Sequence, residues 1–290
     1  MDIMQNTDAP LVLPRGTERI DSTQGSIFFI GTATMLLRYA GFTILTDPNF
    51  LHQGNHVHLG GGLTSARLTN PAIEMEQLPP IDFVLLSHLH EDHFDRLVEK
   101  KLDKGTIIVT TPEAALALRH KCFTALEPLH MWQTLTITKG DFTLRITAMP
   151  GKHGPGIMNS LLPSVMGSML EFQDNTGKTL VRLYITGDTL LHENLQEIPQ
   201  RYPDIDLAML HLGGTRIFGI LLTMDAMQGI EAVKLINAKK NIPIHYNDYT
   251  VFKSSLSDFK ELVSMSGLED RVHYMAHGDT YMFEIPANRR

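Results

Sequence analysis

Apolar positions along this chain fall mostly into short runs bounded by Gly, Pro, Asp and Asn, the signature of strands rather than long helices. Ser26–Ile30, Met35–Tyr39 and Phe42–Thr46 predict three strands, the last two joined at a tight Ala40-Gly41 hairpin, and Asp47-Pro48-Asn49 ends the third. Residues 51–80 are rich in Gly, His and Pro without a period, which predicts a long surface loop. From Asp82 the pattern alternates. Asp82–Ser87 predicts a buried strand, Asp95–Lys101 a helix, Thr106–Thr110 a strand, and Pro112–His120 a helix with proline in its first turn.

Strands return at Thr134–Thr138, Phe142–Met149, Gly167–Phe172 and Thr179–Thr186. A second alternation follows, with a strand at Asp206–Leu210, an amphipathic helix at Asp225–Asn237, a strand at Asn241–Ile244, a helix at Ser257–Ser264 and two small closing strands. Strands and then β-α alternation, twice over, imply two similar halves. A four-layer αβ/βα sandwich, two mixed sheets flanked by helices, is the simplest packing. Residues 1–20 read as a lead-in segment and 21–290 as a single domain.

Composition narrows the function. A hydrophobic fraction of 43% over 290 residues supports a large core, and no apolar stretch is long enough to span a bilayer. The N-terminal residues Met1–Asp8 include acidic side chains and no apolar core segment, so no signal peptide is read and a cytoplasmic location is expected. A single cysteine, Cys122, excludes an internal disulfide framework and a thiolate-rich metal cage. Lys+Arg 25 against Asp+Glu 32 gives 25 − 32 = −7, with no long basic run, so nucleic acid is not an expected partner. A small-molecule substrate is expected, with homo-oligomerisation left open.

The chemistry concentrates in Ser87-His88-Leu89-His90-Glu91-Asp92-His93, directly after an apolar strand. Neutral imidazole and carboxylate are ligands for Zn(2+), and less selectively for Mn(2+) or Fe(2+). Four candidate ligands in six positions are too many for one ion on so short a loop, which points to two adjacent metals. Each of His153, Asp188 and His245 lies just past an apolar strand and therefore at the edge where loops carry sites. His211 ends its own strand near the same edge and rivals His245.

The heptad resembles the H-x-H-x-D-H signature of the metallo-β-lactamase superfamily, two-metal hydrolases of αβ/βα fold. His153 in Pro150-Gly151-Lys152-His153-Gly154, Asp188 in Ile185-Thr186-Gly187-Asp188-Thr189 and His245 in Ile242-Pro243-Ile244-His245-Tyr246 extend the resemblance over residues 25–285. It implies that His88, His90 and His153 hold one metal, and Asp92, His93 and His245 the other, with Asp188 between them. It further implies a shared, metal-activated hydroxide, and Asp92 as the catalytic residue that passes a proton to the leaving group.

Within the superfamily, Ile44-Leu45-Thr46-Asp47-Pro48 and the Asp188 segment look closest to the branch of UlaG-like lactonases and the N-acyl-phosphatidylethanolamine phospholipase D type. Lactone or ester hydrolysis is therefore expected first and phosphodiester cleavage second. An iron-dependent oxidoreductase on the same fold is the reading from another class. Against its diiron flavoprotein form, His90 stands where that group typically has glutamate.

Around this set, Asp47 reads either as a hydrogen-bond acceptor for a ligand imidazole or as a turn former before Pro48. Arg67 reads as an anion grip on a lid that includes His52, His56 and His58, or as part of a solvated loop. Tyr246 reads as a donor to a developing oxyanion or as a packing residue. The apolar runs 156–166 and 217–222 read as pocket walls or as ordinary packing, and tilt the expected substrate toward a partly hydrophobic one, while the residual positive charge of two divalent ions among two carboxylates and a hydroxide fits an anionic or polarised-carbonyl one.

Overall fold

Strands that read as unbroken apolar runs are those buried on both faces, and Phe83–Leu85 shows why. Leu85 faces the interior between two sheets, while Val84 and Leu86 face helices on the outside. The computed structural model describes residues 9–15, 21–59, 62–156, 158–285 and 287–289. Residues 1–8 and 16–20 of the expected lead-in, and Ile157 of the apolar run, lie outside them.

One seven-stranded sheet runs in the order Thr280–Glu284, Gln24–Gly31, Thr34–Tyr39, Phe42–Thr46, Phe83–Leu85, Ile108–Thr110, Leu126–Pro128. The other runs Leu11–Leu13, Thr134–Lys139, Phe142–Met149, Gly167–Gln173, Thr179–Ile185, Leu207–His211, Lys240–Ile244. Their facing sides share one core, in which Phe29, Ile44 and Phe83 meet Ile146, Phe172 and Met209. Helices Arg96–Lys101 and Pro112–His120 cover the first sheet, and Ala226–Ile236 and Leu256–Met265 cover the second. The expected αβ/βα sandwich is the observed fold. Truncating a core side chain such as Phe83 to Ala would cost about 3–5 kcal/mol.

Local signals set the helix starts. Asp95 accepts hydrogen bonds from the Leu97 and Val98 amides, Thr111 caps a helix with Pro112 in its first turn, and Ser255 forms a capping box with Asp258. The Asp95 carboxylate also accepts from the amides of Phe50 and Leu51, so the cap ties this helix to the loop after Phe42–Thr46.

Four expectations are corrected. The 51–80 segment contains a hairpin, His56–His58 with Thr64–Ala66, held to the body by Arg96 Nη1 donating to His56 O and Thr250 N–H donating to Ala66 O. Leu11–Leu13, inside the expected lead-in, pairs in parallel with Thr134–Lys139. Strand Leu126–Pro128 and helix Glu197–Arg201 were not anticipated. One closing strand, Thr280–Glu284, is present among the described residues where two were expected; Val272 makes only an isolated bridge to Asn241. No helix among the described residues is long and apolar enough to cross a membrane.

Candidate metal centre

Parallel pairing gathers the chemistry. Phe42–Thr46 and Phe83–Leu85 are parallel neighbours with Thr46 opposite Leu85, so Asp47 and the heptad leave the sheet side by side. In the other sheet Thr179–Ile185, Leu207–His211 and Lys240–Ile244 are parallel, with Ile185 opposite Met209 and His211 opposite Ile244. Asp188, His211 and His245 therefore emerge at one rim. Phe142–Met149 runs the same way, two antiparallel pairings removed, and delivers His153 there.

The donors sort into three groups, each with ligand atoms within 4.8 Å of one another: His88, His90, His153; Asp92, His93, Asp188, His245; and Asp47, His93, His211. In the first, His90 Nδ1 lies 3.0 Å from His88 Nε2 and 3.2 Å from His153 Nε2. Tetrahedral ligation at about 2.0–2.1 Å would put such nitrogens about 3.3 Å apart. In the second, His93 Nε2 lies 3.1 Å from His245 Nε2 and 3.3 Å from Asp188 Oδ1, and His245 Nε2 is 3.4 Å from Asp92 Oδ2.

Outer hydrogen bonds fix which nitrogens point inward. His153 Nδ1 and His245 Nδ1 each lie 3.1 Å from a backbone carbonyl, Leu222 O and Leu212 O. A carbonyl only accepts, so both Nδ1 atoms carry the proton and both Nε2 lone pairs face the cluster. Ser87 Oγ donates to Asp47 Oδ1 at 3.0 Å and is left to accept from His88 Nδ1 at 3.0 Å, giving the same tautomer. Asp47 Oδ2 faces His93 Nδ1 at 3.4 Å. Thr223 Oγ1 donates to Asp188 Oδ2 at 3.0 Å.

Charge follows burial and neighbours. Burial pushes the pKa values of His88 and His153 below the ordinary value and that of His90 down to about 4, so these imidazoles are neutral. Burial opposes the charge of Asp92, Asp188 and His93, but the surrounding partners prevail. Nearby His93 and His245 lower Asp92 to about 2 and hold Asp188 well below the carboxylate range, while Asp188, Asp47 and Asp92 hold His93 well above the usual imidazole range. Asp92 Oδ1 and Asp188 Oδ1 are buried without a hydrogen-bond partner. Converging lone pairs, ionised carboxylates and unpartnered oxygens form a donor set that fits divalent cations.

Two residues of the centre carry strained backbone. Asp47 and His245 adopt positive φ of 34° and 61° without being glycine. Gly213 has φ 109°, and a Cβ there would meet His245 O at 2.4 Å, so only glycine allows the His245 backbone its position.

Other expected residues fall elsewhere. His211 is not in the group of His245. Its Nδ1 is 3.1 Å from Thr186 Oγ1 and its Nε2 is 3.5 Å from Asp47 Oδ2, on the far side of His93. Arg67 is 1% exposed, with Nη1 donating to Tyr249 Oη and Nε to Thr69 O, and is therefore no surface grip for an anion. Tyr246 is turned away, its hydroxyl donating to Met275 O at 2.9 Å, so the oxyanion role has no geometric basis. His52 and His58 pair with Glu74 and Glu91.

The two apolar runs diverge. Leu161, Leu162 and Pro163 line a 470 Å³ cleft that includes His90, so that run does form a pocket wall. The second run makes a hairpin with Phe218 89% exposed at its tip, and contributes instead through Leu222 O. The carbonyls of Leu212 and Leu222 and the hydroxyl of Thr223 were missed. Backbone acceptors leave no trace in side-chain identity, and a lone threonine carries little signal.

Two seven-stranded sheets between helices, with histidines and aspartates converging at one rim, define a metallo-β-lactamase fold. The chain belongs to the beta-lactamase superfamily domain family, whose profile matches residues 43–246. It is similar to a UPF0173 metal-dependent hydrolase of Nanoarchaeum equitans, 27% identical over 195 residues, 67% of this chain and 83% of that protein. The structure of an isothiocyanate hydrolase from Delia radicum gut bacteria superposes with a TM-score of 0.75 at 22% identity, covering 89% of this chain and 99% of that one. CmlA, a diiron beta-hydroxylase from Streptomyces venezuelae, superposes at 0.65 with 16% identity over 92% of this chain and 55% of its own; these structural likenesses concern the fold.

Proposed function

We propose that this chain is a metal-dependent hydrolase that cleaves a lactone or ester bond. Its first donor group, His88, His90 and His153, and its second, Asp92, His93 and His245, would each hold one divalent ion, zinc first and manganese or iron(II) as alternatives. The observation that carries this reading is the convergence of inward lone pairs with the unpartnered oxygens of Asp92 and Asp188. The relatives named metal-dependent hydrolases support it.

When bound, two such ions would lower the pKa of a shared water and supply hydroxide at neutral pH. The chain's own groups do the rest. Asp188 belongs to the second group, and its charge also acts on His88 and His153 of the first, which suits a ligand between the two. Asp92 is ionised at neutral pH, and its Oδ1 accepts no hydrogen bond, so it can take up a proton and return it to the departing alkoxide. Asp47 holds Ser87 and faces His93, fixing two of the imidazoles.

The test is turnover by zinc- or manganese-loaded protein on matched lactones, esters and phosphodiesters. Hydrolysis of lactones or esters that collapses in Asp188→Ala is expected. Cleavage of phosphodiesters alone, or stoichiometric redox-active iron with oxygen consumption, would overturn the assignment.

A further inference from the structure

Two clefts of opposite character flank the metal centre, and the segment carrying Asn159–Pro163 divides them. One, of 470 Å³, includes His90 and is walled by Leu59, Leu89, Phe94, Leu161 and Leu162. Its charged members cancel. Arg96 pairs with Glu91 at 2.7 Å and Lys121 with Glu99 at 2.7 Å, so the cleft demands no charge from its occupant.

The other, of 460 Å³, begins at Pro150–Lys152, just before His153, and is lined also by Asn159, His192 and Asn194. Lys152 forms no ion pair among the described residues, and its backbone is held by hydrogen bonds to Thr189 Oγ1 and from Leu190 N. Glu193 also lines this cleft but is exposed. The Lys152 ammonium, free of any ion pair among the described residues, suits a single negative charge in this cleft.

Resting on the hydrolase reading above, we propose that the substrate is an acyl compound with a carboxylate head: an apolar chain in the Leu89–Leu162 cleft, a carboxylate at Lys152, and the scissile carbonyl between them over His90 and His153. Lys152 and Leu162 are then specificity residues. Each methylene that enters the apolar cleft should raise affinity about fourfold until the cleft is full.

Calorimetric titration of the metal-loaded protein with N-decanoylglycine, decanamide and N-acetylglycine tests this. N-decanoylglycine should bind at least tenfold more tightly than either half. Lys152→Met should bring it to the level of decanamide, and Leu162→Asp to that of N-acetylglycine. Equal binding of N-decanoylglycine and decanamide, or equal weakening of all three ligands by both variants, would overturn the proposal. The same variants assayed on decanoyl esters with and without a carboxylate in the alcohol separate the two claims. Selective binding without any ester turnover removes the hydrolase reading and leaves the ligand class; turnover indifferent to chain and carboxylate does the reverse.

Discussion

The two donor groups sit side by side yet solve different electrostatic problems. His88, His90 and His153 are neutral because burial strips their protons, so a dication there keeps its full charge. Asp92 and Asp188 are ionised and hold His93 protonated, so the second group presents carboxylates but must release a proton before His93 can ligate. On the proposed reading the difference separates the roles: the first group would polarise the substrate, and the second would compensate charge and handle protons.

Removing the proton handler should break this comparison most severely. Asp92→Asn is expected to lower kcat by about 10²–10⁴ while the first group keeps its ion, which turnover and metal content measured together would show. Full turnover with both metals present would remove Asp92 from the mechanism.

Acid should act through the first group. In metal-stripped protein, the unfolded chain takes up protons near pH 6.5 whereas His90 takes one up only at about 4. Stability is therefore fully present above 6.5 and is lost as pH falls toward 4, with His90 alone accounting for up to about 3 kcal/mol. His93, raised rather than lowered, contributes fully below 6.5 and leaves the slope in this window unchanged. Thermal unfolding at pH 7, 5.5 and 4.5 should show the decline, and His90→Asn should make it shallower while His88 and His153 retain their share.

Asp47 sharpens the contrast from outside, since its carboxylate reaches His93 of the second group directly and His88 of the first only through Ser87. Asp47→Asn should weaken metal binding about 10–100-fold, more at the second group than at the first, as read by competition with a chelating dye. Thr223→Val is the mildest change. It removes one hydrogen bond to the ionised Asp188, worth about 1.5 kcal/mol at the low end for a charged acceptor, and should lower second-group affinity about tenfold.

The same division governs what the sequence disclosed. Buried parallel strands such as Phe83–Leu85 are apolar on both faces and punctuated by turn residues, so they and the ligands that follow them were legible. The hairpin of His56–His58 and Thr64–Ala66 was not, because three-residue strands carry no measurable period and are held by contacts to Thr250 and Arg96. Arg67 looked like a solvent-facing cation. Only the packed fold shows it under Tyr249, at 5.2 Å from the ring centre. His211 and His245 each end or follow a strand at the same rim, and what separates them is the side of His93 from which each approaches.

Metal content per chain tests the two-group account most directly. Purified protein loaded with zinc should hold two ions, and His153→Ala and His245→Ala should each hold one. The survivor should be the tighter-bound ion in His153→Ala, where the carboxylate-bearing group remains whole. A wild-type stoichiometry of one that neither substitution alters would contradict it.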